Sequence, residues 1–375
     1  MEKNLKIKSK VLILHPSLAP YRVDFFNKLH EKCDASIYFS YRNVPYLKYN
    51  QEHILSQLQF VPHYLDKGFD FRNRPIRFGI IKLLSRGKFD VVITSEFSHS
   101  TIVSYLYKVI FRKKYRLYTI SDDSIYSSMK RSGIRAFLRT TISKNINGVI
   151  YTSNDVGLYN KTHFSDKINA LELPIIHDDN IFRKKLSDSL SISIENIKKY
   201  DLEHKKIVLF VGRLVEVKNL DVLIKAFSKV VEDNCMLVLV GDGPLRQELV
   251  DLVESNNISD RVLFIGHLEG QALCSWYNIA QISILPSIKE AFGAVVNEAL
   301  LGGCYVICSK IAGAVSLINN ENGSSFDPSN QEELTEKIRE ALQKVVPLDS
   351  STVSLRESKM PFTFNEKLDT LIHQL

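Results

Sequence analysis

No stretch of the chain stays apolar long enough to cross a bilayer as a helix. The most apolar run, Ile102–Phe111, is short and is interrupted by Lys108. A secretory leader is not visible either. The opening MEKNLKIKSK is polar and basic, and the run after it, Val11–Leu14, is too short for an h-region. The expectation is a cytoplasmic protein, soluble or peripheral on the inner face of a membrane. Cysteine is scarce, and Cys33, Cys235, Cys274, Cys304 and Cys308 are odd in number and scattered in apolar runs. That excludes a disulfide framework and suits reduced core residues. Cys304 and Cys308 have no nearby His or Cys pair to complete the four ligands of a structural zinc site. A dinucleotide fingerprint is missing: the first strand-like run has no glycine-rich turn, and Gly241-Asp242-Gly243-Pro244 is incomplete. This argues against a nicotinamide oxidoreductase. No nucleic-acid-binding motif is present, so nucleic acid is not expected as a partner.

Of 375 residues, 45% are apolar and 24% charged, which suits globular domains and excludes disorder. The length suits two domains better than one core. Charge divides unevenly. Residues 1–180 carry 28 Lys+Arg and 16 Asp+Glu, 28 − 16 = +12, and residues 181–375 carry 21 and 26, 21 − 26 = −5. The basic half points to an anionic partner, with a solvated surface as the plainer alternative.

Short β-branched runs alternate with helical patterns. In the first half the strand-like runs are Val11–Leu14, Ala35–Phe39, Val91–Thr94, Leu117–Ile120 and Val149–Tyr151. In the second they are Ile207–Val211, Leu237–Val240, Val262–Ile265, Ile282–Leu285 and Tyr305–Cys308. Helices are expected at Val23–Leu29, Thr101–Ile110, Leu220–Val231, Leu245–Glu254, Ala294–Leu301 and Glu332–Leu342. Strand–helix alternation predicts parallel sheets wrapped by helices, an α/β fold of two Rossmann-like doubly wound domains. The expected boundaries are 1–180, 181–355 and a terminal helix within 356–375 crossing back to the first domain. Two such sheets side by side would face a central cleft, so chemistry should come from loops that follow strands.

Three loops stand out. Arg213 follows the strand end Val211-Gly212, and Lys218 comes five residues later; a planar fork and a point charge there can neutralise a diphosphate. Gly241–Pro244 allows a tight turn. In Leu285–Leu300, Glu290 lies in a loop before a helix starting near Gly293, whose N-terminal N–H groups offer a site for phosphate or hydroxyls. Glu298 lies inside that helix among apolar residues. A carboxylate there needs a hydrogen-bonding partner, such as ribose hydroxyls or a buried Arg.

The Glu290-x7-Glu298 spacing within SIKEAFGAVVNEALLGG resembles the signature of retaining GT-B glycosyltransferases of family 4. VLFVGRLVEVKNLDVLIKAF, LVLVGDGPLRQEL and VLFIGHLEGQALCSWYNIA resemble that family's other blocks in order, over residues 206–330. The resemblance implies transfer of a sugar from a nucleotide-sugar donor, with retention and without a metal or other cofactor. It implies that Arg213 and Lys218 clamp the donor diphosphate and that Gly212 belongs to their loop. Glu290, with the backbone of Phe292 and Gly293, would hold the sugar; Glu298 would hold the ribose. His267 and Leu268 would lie along the base. An inactive nucleotide-sugar-binding or scaffold protein of the same fold is the alternative.

The first half resembles that family less specifically. HPSLAPYRVDFFNKL is similar to the opening block of polysaccharide-type members, with Arg22 a candidate for an acceptor phosphate or a helix-surface residue. A lipid-linked or polysaccharide precursor is the acceptor this implies. Asp122, Asp123, Glu96 and His99 sit at strand ends and are candidate acceptor residues, with helix capping as the alternative for Glu96 and His99. In MKRSGIRAFLRTTISK, residues 129–144, Ile134, Phe137, Leu138, Thr141 and Ile142 share a face amid Lys130, Arg131, Arg135 and Arg139. Such a helix lies on an anionic membrane or packs its apolar face on the sheet.

Overall fold

The computed structural model describes residues 9–43, 50–71, 74–230 and 234–375. Two compact units emerge: residues up to Ile175 together with Asn365–Leu375, and Ile176–Phe364.

Unit 1 contains β1 (Lys10–His15), β2 (Asp34–Phe39), β3 (His63–Tyr64), β4 (Gly68–Phe71), β5 (Arg74–Arg77), β6 (Val91–Ser95), β7 (Arg116–Ser121), β8 (Gly148–Tyr151) and β9 (Ala170–Glu172). Its helices are α1 (Val23–Lys32), α2 (Gln51–Ser56), α3 (Gly79–Arg86), α4 (His99–Ile110), α5 (Ile125–Met129), α6 (Gly133–Asn145) and α7 (Asn154–His163). Seven strands form one parallel sheet in the order β3-β2-β1-β6-β7-β8-β9, and β4–β5 is a separate antiparallel hairpin. Every residue of β6 is buried, as expected where helices cover both faces of a parallel sheet. The core runs through Leu12, Leu14, Val92, Leu117 and Val149.

Unit 2 contains α8 (Asp179–Asp188), α9 (Leu190–Lys199), β10 (Lys206–Val211), α10 (Leu220–Ser228), β11 (Cys235–Val240), α11 (Arg246–Ser255), β12 (Val262–Gly266), α12 (Gly270–Ile279), β13 (Ile282–Leu285), α13 (Ala294–Leu301), β14 (Tyr305–Ser309), β15 (Gly323–Phe326) and α14 (Gln331–Gln343). Its six strands run parallel in the order β12-β11-β10-β13-β14-β15. Phe210, Phe227, Leu237, Ile284 and Phe326 anchor its core. The last helix, α15 (Phe364–Gln374), belongs to unit 1 from Asn365 onward. Ion pairs Lys32–Asp369 and Lys367–Glu172 hold it there, with a Tyr118 hydroxyl donating to the Gln374 carbonyl at 3.2 Å.

Both sheets therefore reverse direction beside their first strand, between β1 and β6 and between β10 and β13. Ligands bind at such switch points. The expected strands all exist, with ends displaced by one or two residues. Those missed are short or weakly apolar: β3, the β4–β5 hairpin, β9 and β15. The expected helix end at Val231 lies outside the described residues. The serine-rich stretch near 187–193 spans the end of α8 and the start of α9. Ser189 and Ser193 are buried and meet the Asn278 side chain at 3.0 and 3.3 Å. All five cysteines are buried.

Candidate functional site

In unit 1 the loop after β1 carries Arg22, which is 1% exposed and ion-paired to Asp122 at the end of β7. Arg22 is thus a buried cation paired with a carboxylate rather than a helix-surface residue. The Asp122 amide donates to the Glu96 carboxylate at 2.7 Å. Glu96 and Phe97 both take positive φ, 60° and 48°, so the chain leaves β6 through two consecutive left-handed non-glycine residues. Loss of hydration and then the like charges of Asp122 and Asp123 push the Glu96 carboxyl up to about 7. Asp123 accepts from Arg131 at 2.6 Å, Arg139 at 2.9 Å, and the Ser121 and Ser127 hydroxyls at 2.7 and 3.2 Å. Burial would raise its pKa, but these partners hold it below the ordinary aspartate value. Burial and then Arg22 push His15 down to about 4, so it is neutral near pH 7. His99 opens α4 as its first residue, with Ser98 at the cap position. Its Nδ1 is buried without a partner among the described residues.

In unit 2 the loops after β10 and β13 meet at the switch point. Lys218 and Glu290 form an ion pair, each side chain 17% exposed. The Ile288 amide donates to the Val217 carbonyl at 3.0 Å. Asn219, in the left-handed region at φ 56°, donates to the Pro286 and Pro328 carbonyls at 3.3 and 2.9 Å. Arg213 is exposed and has no side-chain partner among the described residues. Gly212 and Gly241 bring the first two loops into backbone contact. A Cβ on Gly241 would fall 1.8 Å from the Gly212 carbonyl oxygen, and φ there is +145°. His267 is exposed and 3.2 Å from Glu269, while Leu268 is half-buried.

Gly293 caps α13 at φ +100°, where a Cβ would lie 2.5 Å from Leu285. Any other residue would be strained there and would push the Leu285 side chain aside. The N–H groups of Phe292, Gly293 and Ala294 have no acceptor among the described residues. They leave an open helix N-terminus close in sequence to Glu290, a place suited to negative charge or hydroxyl oxygens. Glu298 sits just over one helical turn further along. Its carboxylate accepts from the Tyr277 hydroxyl at 2.7 Å and lies 3.3 Å from His177 Nε2. Its side chain remains 16% exposed. Burial would raise its pKa, but the hydrogen bond and electrostatic pull of His177, with Tyr277 and Lys185, hold it below the ordinary glutamate value. The protein partner of this carboxylate is therefore a tyrosine–histidine pair, not a buried Arg. Among the described residues, no three His, Cys, Asp or Glu side chains converge as metal ligands.

Residues 193–350, with all these unit 2 loops, match the family described as glycosyl transferases group 1. Unit 2 belongs to the group 1 glycosyl transferases. An uncharacterized glycosyltransferase of Methanocaldococcus jannaschii is 35% identical over 134 residues, 35% of this chain and 34% of that protein. A Campylobacter jejuni N-acetylgalactosamine-N,N'-diacetylbacillosaminyl-diphospho-undecaprenol 4-alpha-N-acetylgalactosaminyltransferase is 30% identical over 163 residues, 41% of this chain and 43% of that protein. The chain thus spans between about a third and 43% of the length of these curated relatives. The crystal structure of Anabaena Alr3699/HepE in complex with UDP superposes with a TM-score of 0.70 at 16% identity, covering 97% of this chain and 95% of that one. That likeness shows the fold, GT-B.

The group 1 blocks already contained Tyr277, in the run CSWYNIA, but not its role. His177 stands outside the blocks, ahead of α8, where its amide donates to the Asn297 side chain at 2.9 Å and its ring stacks on Phe182 at 4.9 Å. Arg131 and Arg139 were legible as basic residues but not as partners of Asp123.

Proposed function

We propose that the chain is a glycosyltransferase that moves a sugar from a nucleotide-sugar donor to an acceptor hydroxyl with retention at the anomeric carbon. Unit 2 holds the donor and unit 1 the acceptor. The observation that carries this reading is the joining of the β10 and β13 loops by Lys218 and Glu290, beside the open N-terminus of α13, within a group 1 segment.

In this reading Arg213 and Lys218 take the donor diphosphate. Glu290 and the Phe292 and Gly293 amides take the sugar hydroxyls. Glu298 takes the ribose through oxygens that Tyr277 and His177 orient; a carboxylate has about four acceptor positions, so these two contacts leave capacity. Gly212 gives the clamp loop its turn, and His267–Leu268 lies along the base. No side chain is placed as a covalent nucleophile. The leaving diphosphate helps deprotonate the attacking hydroxyl from the same face of the sugar. Arg213, Lys218 and the α13 N-terminus stabilise the charge that develops on it. No divalent metal takes part.

The acceptor is a lipid-linked or polysaccharide precursor, and the enzyme works peripherally at the cytoplasmic face of a membrane. The basic first half supports this, as does the diphospho-undecaprenol acceptor named for the Campylobacter relative. Arg22, Glu96, His99, Asp122 and Asp123 lie near the acceptor in this reading, most of them as its scaffold. A thermal-shift panel of nucleotide sugars tests the donor assignment. A donor at a hundredfold excess over its Kd should stabilise by about 2.7 kcal/mol. If no nucleotide or nucleotide sugar shifts the transition, the reading fails.

A further inference from the structure

We propose that unit 1 rests on an anionic bilayer through a face built from α4, α6, α3 and the β4–β5 hairpin. The two units are of nearly equal length but leave different surfaces in water. Sixteen exposed large apolar side chains lie in unit 1, and three, Ile181, Ile288 and Val346, in unit 2, among the described residues. Most of the sixteen are on these elements. On α4, Ile102, Leu106, Val109 and Ile110 recur at i, i+4, i+7 and i+8 along one exposed stripe, while Ser100, Thr101, Ser104 and Tyr107 are buried, with Val103 and Tyr105 partly buried against the core. The outer face of a water-facing helix is ordinarily charged or polar.

An exposed apolar face also marks α6. Ile134 and Phe137 are 79% and 69% exposed, and Leu138 is 48% exposed. Only Ile142 and Ser143 of this helix are buried. Packing against the sheet therefore does not account for its apolar face. Phe69 on the hairpin and Phe78 before α3 are also exposed, their rings 6.0 Å apart.

A cavity of about 470 Å³ joins α4, α6 and β5. Arg74, Lys130, Arg131, Arg135 and Arg139 line it, against only Glu96 and Asp123. Arg131 and Arg139 pair with Asp123, but Arg74, Lys130 and Arg135 have no acidic partner among the described residues. Arg112, Lys113 and Lys114 follow directly after the α4 stripe. An apolar stripe alone would suit a protein partner. Apolar stripes rimmed by unpaired cations suit an acidic lipid interface, where side chains enter the acyl boundary and cations meet phosphates. Each such cation is worth roughly a fivefold gain in partitioning, reduced by salt.

The inference rests on the proposed function for its purpose, a lipid-borne acceptor, but on unit 1's own surface for its evidence. Its test is sedimentation of the full chain with phosphatidylglycerol–phosphatidylcholine vesicles. Wild type should pellet at low salt and bind several-fold less at high salt or with phosphatidylcholine alone. The combined substitutions Leu106→Gln, Ile110→Gln and Phe137→Gln should lower binding at least tenfold, as should Lys130→Glu with Arg135→Glu. Circular dichroism and nucleoside diphosphate binding should stay as in wild type, which separates this face from the donor chemistry. Wild type remaining in the supernatant at low salt overturns the proposal, as do variants that bind as wild type does. A dimer on size exclusion that the same substitutions dissociate also overturns it, by giving the face to a second copy. Vesicle binding lost with nucleotide binding intact leaves the donor reading standing.

Discussion

Replacing Tyr277 with Phe should destabilise unit 2 by about 2 kcal/mol. The hydroxyl that is removed donates at 2.7 Å to a carboxylate only 16% exposed, and the Tyr277 ring itself is fully buried. Hydrogen bonds to charged groups contribute about 1.5–3 kcal/mol. Phe keeps nearly all the volume, so the cavity term is small. The loss falls on Glu298, which keeps His177 as its remaining short contact. Because its partners depress the Glu298 pKa, their stabilisation is present above the ordinary glutamate pKa and is lost as pH falls through the lowered folded value. The difference between wild type and variant should therefore be largest near neutrality and shrink in acid. The chain's only tryptophan, Trp276, is buried next to Tyr277, so its fluorescence reports the unfolding of unit 2 selectively. For a unit of this size, ~2 kcal/mol corresponds to a fall of about 1 M in the urea midpoint. An unchanged midpoint near neutrality, or a difference that grows in acid, would refute the argument that Tyr277 holds an ionised Glu298.

Four further outcomes are expected. Glu298→Ala should weaken nucleoside diphosphate binding by about 1–3 kcal/mol, read by calorimetric titration of the folded variant. Arg213→Ala should lower the transfer rate roughly tenfold or more with little change in Tm, since Arg213 is exposed and has no side-chain partner among the described residues; Lys218→Ala should lower both, because Glu290 loses its cation. Glu96 has a folded pKa raised to about 7, so the folded state binds more protons than the unfolded one between the ordinary glutamate pKa and that value, and unit 1 loses stability as pH rises across the window. Hydrogen exchange around β6 and β7 should show that loss in wild type and a flatter response in Glu96→Gln. Excess chelator should leave transfer intact; activity lost on chelation and restored by magnesium would reverse the metal-free expectation.

Much of unit 2 was legible because both faces of its sheet are buried. Such strands read as unbroken apolar runs, as in Ile207–Val211 and Leu237–Val240, and the loops after them are marked by glycine. Ala294–Leu301 was legible from end to end, because Gly293 and Gly302 bracket it. The weaker elements of unit 1 left no such signal. A two-residue edge strand at His63–Tyr64 and a hairpin whose β4 residues are all exposed carry no burial pattern. The tertiary partners were the least accessible. Nothing in Arg22 distinguishes a phosphate-binding arginine from one buried against a carboxylate a hundred residues away. Likewise the pattern of residues 129–144 showed an apolar face without showing that the sheet leaves it uncovered.

The central claim, a retaining nucleotide-sugar transferase, is tested most directly by proton NMR of the anomeric signal of the first-formed product. A donor that stabilises the protein is supplied with acceptor, or with water as the slow acceptor. The account expects the new anomeric centre to keep the donor's configuration, and expects its formation to fall sharply in Glu290→Gln. An inverted first product, or undiminished turnover in that variant, would contradict it.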